Sequence, residues 1–299
     1  MHTLVLALLL AAVLAFFLPT VRNRLRAALH ARPAAIWAIP FLLLAIFSGA
    51  ALLAGAFSFP LALLVLGYTA APVACAWAGP RGRPAGFTDR PAAPDFAAIL
   101  LLWLPLEFAA GASLVPRPAQ AFLHSVAYAI AILLGLVLFI GFRSFPGMKY
   151  SLPRRGSDFG LPVAAFAITA PVLMVVGFAL GFIPLPHWPG AAATGARMSG
   201  AFGVILAGTA LPEEILFRSL IQNLIMLRFG AGWRTLLAAA LIFGCAHLDN
   251  GPQPLPNWRY MILATIAGLA YGKVFQRSST VLSSAALHAM VDWTKHFFF

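Results

Sequence analysis

The chain is predicted to be an all-α, polytopic transmembrane helical bundle of about eight to ten spans, on three observations. Hydrophobic residues make up 62% of its 299 positions and charged residues only 9%. Apolar stretches of membrane-spanning length recur from end to end, which a soluble core of this size does not need. The basic residues gather between those stretches, so the net charge of +12 reads as a set of topology signals. They form no stripe or block of the kind that binds nucleic acid.

Apolar runs bounded by Gly, Pro and charge fall near 3–21, 34–54, 59–78, 96–114, 121–141, 159–183, 199–227, 235–249, 259–272 and 279–296. The first lacks a basic residue in its flank Met1 to Thr3 and is followed by the positive cluster, so it reads as a retained helix and not a secretory signal. The eighth and ninth are shorter than the roughly 20 residues a perpendicular span needs, which suits tilted, re-entrant or protein-buried segments. Connections rich in Arg or Lys alternate with poor ones: Arg22, Arg24, Arg26 and Arg32 come after the first run, then none, then Arg81, Arg83 and Arg90, then Arg117 alone, then Arg143, Lys149, Arg154 and Arg155. The alternation continues to Lys295, and the positive-inside rule then places both termini outside the cytoplasm. Only Arg218 is left within a span.

Cys75 and Cys245 sit in apolar runs without metal-type spacing and are expected to be packing residues. The polar stretches 79–95, 142–158 and 184–198 are short connections. The chain therefore reads as one membrane domain, with an accessory layer of N-terminal transmembrane helices over residues 1–150.

Only eight acids are present, and that scarcity locates the chemistry. Asp89, Asp95 and Asp158 lie in or beside connections, where solvated charge is the expectation, and Glu107 is deep enough to pair with an arginine or line a cavity. Glu213, Glu214, Asp249 and Asp292 all fall in the last third, with His247 and His288. Each histidine taken singly reads as a packing residue; together with the acids they do not. If their helices cross as assigned, Glu213, His247 and His288 lie about 21, 18 and 14 Å from the cytoplasmic end at about 1.5 Å per residue. Charge at that depth is costly and marks a functional site by default.

The spacing on each helix points the same way. Glu214 and Arg218 are four apart with the acid first, the favourable order for an ion pair. Phe243 and His247, and His288 and Asp292, are likewise four apart and share a face. The bland alternative is a set of interhelical hydrogen bonds, worth about 0.6 kcal/mol each, which does not explain the choice of ionisable groups over Ser or Thr.

Glu213, Glu214 and Arg218 fit an EExxxR motif, Phe243 and His247 fit FxxxH, and His288 and Asp292 fit HxxxN-or-D. In order and separation these residues resemble the CPBP intramembrane proteases, over roughly 199–297. That family includes the endoproteases that trim prenylated CAAX proteins and bacterial relatives linked to bacteriocin self-immunity and processing. The resemblance implies a protease core over residues 151–299, with motifs in 199–297, and hydrolysis of a membrane-associated or C-terminally anchored protein by a glutamate-activated water. By position, Glu213 would be the general base, His247 would help hold the water, and His288 with Asp292 would stabilise the oxyanion. Glu214 and Arg218 would orient the base. Where relatives carry Asn, Asp292 donates only if protonated or instead orients His288 as an acceptor, and the orienting role is favoured.

The resemblance implies no cofactor, although two histidines and a glutamate also make a catalytic zinc set. Against zinc stand the missing HExxH helix and the neighbouring Arg218. A proton-coupled transporter using the intramembrane acids is an alternative from another class, as is a non-catalytic scaffold of the same fold. The expected setting is a bacterial cytoplasmic membrane, the expected partners are the lipid bilayer and a membrane-anchored protein or peptide substrate, and no nucleic acid is expected.

Overall fold

The computed structural model describes residues 1–79, 90–190, 195–251 and 255–299, and Arg81, Arg83 and Asp89 of the basic and acidic patterns lie outside them. Every apolar run is helical, and the described residues contain no strand. The chain divides into two compact units, Met1–Met148 and Lys149–Phe299.

In the first unit the leading run is broken. Helix α1 (His2–Ala15) and helix α2 (Pro19–Ala31) meet at 80°. Pro19 opens α2 at a position where its missing N–H costs nothing. The Arg22 guanidinium reaches back to the carbonyls of Phe16 and Phe17 at 2.8 and 3.1 Å, covering acceptors that the end of α1 leaves open. The cluster Arg22, Arg24 and Arg26 thus belongs to a helix and not to a connecting loop.

A 3-10 turn (Pro33–Ala38) leads into α3 (Ile39–Leu53), followed by α4 (Phe59–Ala78), α5 (Ala93–Glu107) and α6 (Arg117–Leu136), which continues as a π turn, Val137–Phe142. Asp95 corrects the expectation of a solvated charge. Its side chain is fully buried, accepts from the Ala92 N–H at 2.8 Å, and takes two hydrogen bonds from the Arg143 fork at 2.7 and 3.1 Å. Glu107 accepts from the Trp103 indole at 2.8 Å.

The second unit contains α7 (Ser157–Ala179), the 35-residue α8 (Gly195–Phe229), α9 (Trp233–Cys245), α10 (Trp258–Arg277) and α11 (Val281–Phe298). Asp158 is also buried, against expectation. It accepts from the backbone of Arg154 and Arg155 at the start of α7 and from the backbone and hydroxyl of Ser279 ahead of α11, so one carboxylate joins two helix starts. The Lys149 ammonium donates to the carbonyls of Phe275, Gln276 and Ser278 at the end of α10, where cations are favoured. Helices α9 and α10 approach at Gly244, where a Cβ would stand 2.0 Å from the Thr265 hydroxyl and 2.7 Å from the Met261 carbonyl. Only a residue without a side chain permits that crossing.

Among the described residues five helices are long and apolar enough to cross a membrane, or six if the bent α1–α2 pair is one span. That is fewer than the eight to ten runs read as spans. Helix α5 has 15 residues and α9 has 13. Helices α10 and α11 carry Arg259, Lys273, Arg277, His288, Asp292 and Lys295, which dilute their hydropathy. Cys75 is half-buried and Cys245 exposed, so Cys245 is not the packing residue expected.

Candidate active site

The paired glutamates stand on a local irregularity of α8. Residues Leu211–Glu214 form one α turn between two π-helical stretches, Leu206–Ala210 and Ile215–Gln222. Pro212 has no N–H to give to the carbonyl of Gly208, and the turn before it is the wider kind. Such wide turns are frequent at functional sites, because they rotate the following side chains off the face a regular helix would give them.

The two acids have different surroundings. The Glu214 side chain is fully buried, with Oε2 accepting from Arg218 Nε at 3.1 Å and Oε1 lying 3.2 Å from His288 Nδ1. The Glu213 side chain remains 23% exposed, and its Oε2 is 3.9 Å from His288 Nε2. The same Nε2 is 3.4 Å from Asp292 Oδ2, one turn along α11. His288 is therefore surrounded by three carboxylates from two helices. The ring is also fixed by packing: Tyr271 stacks on it with centroids 4.6 Å apart and planes 20° apart, and Phe243 meets it edge-on at 5.7 Å and 90°.

Arg218 is completely buried. Beyond its bond to Glu214, its guanidinium lies 4.8 Å from the Phe243 ring centroid and 5.8 Å from that of Tyr271. Its Nη1 and Nη2 have no hydrogen-bond partner among the described residues. One turn on, Gln222 donates to the Gly272 carbonyl at 3.0 Å and ties α8 to α10. The arginine's charge is thus held by one carboxylate and two ring faces, an arrangement that suits its flat, weakly hydrated head.

His247 lies past the end of α9, in the turn that follows Cys245, and not on a continuing helix face as the FxxxH spacing suggested. Its Nδ1 is 2.8 Å from the Phe243 carbonyl. A carbonyl only accepts, so Nδ1 carries the proton, and in the neutral ring Nε2 is left as an acceptor. The bond satisfies a carbonyl at the helix terminus and sets the imidazole at the same time. Phe243 thereby touches three site groups: the His247 ring at 4.7 Å, the His288 ring and the Arg218 guanidinium.

These residues adjoin a cavity of about 90 Å³ whose walls include His247, His288, Asp292, Tyr260, Tyr271 and Lys295 among aliphatic and phenylalanine side chains of α7, α10 and α11. Glu213 meets this space at one remove, through His288. Among the described residues no group of three or more His, Cys, Asp and Glu side chains is arranged to hold a metal ion. The structure thus gathers Glu213, Glu214, Arg218, Phe243, His247, His288 and Asp292 from three helices and a turn. Tyr260, Tyr271, Gln222 and Lys295 were not singled out from the sequence. Extending the His288 face by one more pair of turns reaches Lys295, whereas Tyr271 carries no signal beyond its small neighbours Gly268 and Gly272.

Long apolar helices with a buried polar cluster among them are those of a multi-pass membrane protein. Residues 195–294, about a third of the chain, match the family model of Rce1-like proteins, described as type II CAAX prenyl endopeptidase Rce1-like. The match spans every motif residue and bears out the resemblance to the CPBP and CAAX proteases over that stretch. No curated protein and no solved structure matches the chain.

Proposed function

We propose that this chain is an intramembrane endopeptidase that hydrolyses a peptide bond of a membrane-associated or C-terminally anchored protein, using water activated by Glu213. Residues 151–299 form the protease core and 1–150 the accessory helices. The protein sits in a bacterial cytoplasmic membrane with both termini outside the cytoplasm. The observation that carries the reading is the linkage Glu213, His288, Glu214 and Arg218 beside a small apolar-walled cavity, within the stretch that matches a CAAX endopeptidase family.

The difference in access supports the division of roles: Glu213 keeps a partly open carboxylate, while Glu214 is enclosed and positions His288. Glu213 takes a proton from water as the water oxygen bonds to the scissile carbonyl carbon. His247 Nε2, an acceptor because Nδ1 is committed to Phe243, holds the water's second hydrogen. The carbonyl electrons move onto its oxygen, where the His288 Nε2–H donates to the charge, shared with Asp292, which fixes the ring as an acceptor while Nδ1 stays on Glu214. When the C–N bond breaks, the proton on Glu213 passes to the leaving amine. The apolar walls strengthen each of these interactions by keeping the site poor in water.

The test is cleavage of a lipidated or anchored peptide by the purified chain and by Glu213→Gln, with the folded yield measured for both. The amide keeps the shape and cannot take the proton, so cleavage is expected to vanish; full activity of the variant would refute the mechanism. The parent is expected to survive chelator treatment in the same assay. Loss of cleavage restored only by zinc would replace the glutamate mechanism with a metal-dependent one.

A further inference from the structure

A second cavity, of about 310 Å³ against about 90 Å³ at the candidate active site, lies wholly within the first unit. Buried Phe47, Leu61 and Leu123 of α3, α4 and α6 form its floor, while Leu64, Ala121 and His124 stand exposed at its rim, so the space opens at the surface. Polar groups of its wall are spent on the chain itself: the Tyr68 hydroxyl donates to the Leu102 carbonyl at 2.6 Å, and the Gln120 amide donates to the carbonyls of Ala112 and Val115, both at 3.1 Å. What remains for a ligand inside is apolar surface. The connection that turns over the cavity takes left-handed backbone at Ala109 and Gly111, with φ of 47° and 84°, and a Cβ at Gly111 would stand 2.3 Å from Leu64 Cδ2. An alanine in that region is strained, and such strain gathers at ligand sites. Ligand pockets begin at about 300 Å³, and in a membrane the apolar molecule that reaches an open one is a lipid chain.

Arg117 supplies the other half of such a ligand's site. It opens α6 one turn before Ala121 and two before His124, on the helix face that lines the cavity. Its side chain is exposed and forms no hydrogen bond or ion pair among the described residues. Helix α6 begins there without a side-chain cap, so the positive end of its dipole adds to the arginine's charge. The nearest acid along the chain, Glu107, accepts from the Trp103 indole. Arg117 is also the sole Arg or Lys between Arg90 and Arg143, so it belongs to no basic cluster that would orient a span. We propose that this slot binds an anionic phospholipid, with one acyl chain in the cavity and the phosphate at Arg117. Apolar contact holds the chain, and the planar guanidinium matches the phosphate oxygens with paired hydrogen bonds. A mere depression filled by passing bilayer lipid has no reason to distinguish head groups or to depend on one arginine.

In the experiment the full chain in detergent is mixed with phosphatidylglycerol or phosphatidylcholine of identical chains, one chain carrying a photoactivatable diazirine, and the adducts are mapped by mass spectrometry. Adducts on residues 61–68 of α4 and 120–127 of α6 should be about fivefold more abundant with phosphatidylglycerol, the factor that one basic side chain supplies near a membrane surface. Excess unlabelled phosphatidylglycerol should remove them. Arg117→Gln should bring the head-group ratio close to one, and Arg117→Lys should keep most of it. Ala121→Phe, which fills the open rim, should abolish these adducts with both lipids while adducts elsewhere persist. Equal labelling by the two lipids in the parent, or a ratio unchanged in Arg117→Gln, overturns the proposal and leaves passing bilayer lipid only. Adducts that persist in Ala121→Phe place the chain outside the cavity and overturn it as well. Oleate competing as effectively as phosphatidylglycerol would make a free fatty acid the ligand in place of a phospholipid. Should Ala121→Phe not fold, the ratios of the parent and of Arg117→Gln decide, since Arg117 is exposed.

Discussion

Among the described residues each unit buries one arginine–carboxylate pair, and the two pairs are built differently. In the first, Arg143 meets Asp95 with two parallel hydrogen bonds, and Asp95 is further satisfied by the Ala92 N–H. In the second, Arg218 gives Glu214 a single bond, and the other Glu214 oxygen faces His288. The remaining Arg218 nitrogens Nη1 and Nη2 face no acceptor among the described residues. A saturated pair holds helices together; an unsaturated one leaves a polarised carboxylate available to a third group. The difference separates structural burial of charge from burial that serves chemistry.

The largest expected effect comes from breaking the saturated pair. Asp95→Ala strands the Arg143 guanidinium and should cost about 3–5 kcal/mol of stability, read as a loss of folded yield and thermal midpoint in detergent. Replacing both partners by Leu and Met of similar volume should return most of that loss. Cleavage per folded molecule is expected to change little, and an activity loss exceeding the folding loss would tie Asp95 to the site.

Glu214→Gln tests the unsaturated pair. Its folded yield should fall less than that of Asp95→Ala, because the amide oxygen still accepts from Arg218. The cleavage rate should drop about 100-fold or more, since His288 loses the charge that positions it. A variant that folds poorly and cleaves normally per folded molecule would make this pair structural as well.

Asp292 gives the smallest effect. As the acceptor that fixes His288 Nε2, Asp292→Asn should lower the rate about tenfold and Asp292→Ala further, with folding nearly unchanged in both. An Asn variant that matches or exceeds the parent would show that position 292 donates to the oxyanion and does not orient the ring.

The sequence by itself determined the helices and the order of the chemistry. Runs of apolar residues have no soluble alternative, so α3 to α11 follow from hydropathy and from the Gly, Pro and charged residues that bound them. The costliness of charge at membrane depth singled out Glu213, Glu214, Arg218, His247, His288 and Asp292, because each stands out against the apolar run that carries it. Tertiary structure decided which acids are solvated. Asp95 and Asp158 look like loop charges because their partners, Arg143 and Ser279, lie 48 and 121 positions away, and no local pattern encodes a contact at that range. It also decided that the first run breaks at Pro19, that α9 stops before His247, and that Tyr271 stacks on His288. Periodicity records which face of a helix is buried; what that face meets is settled by packing, where helices cross closely enough for a glycine to be required and a ring to be held.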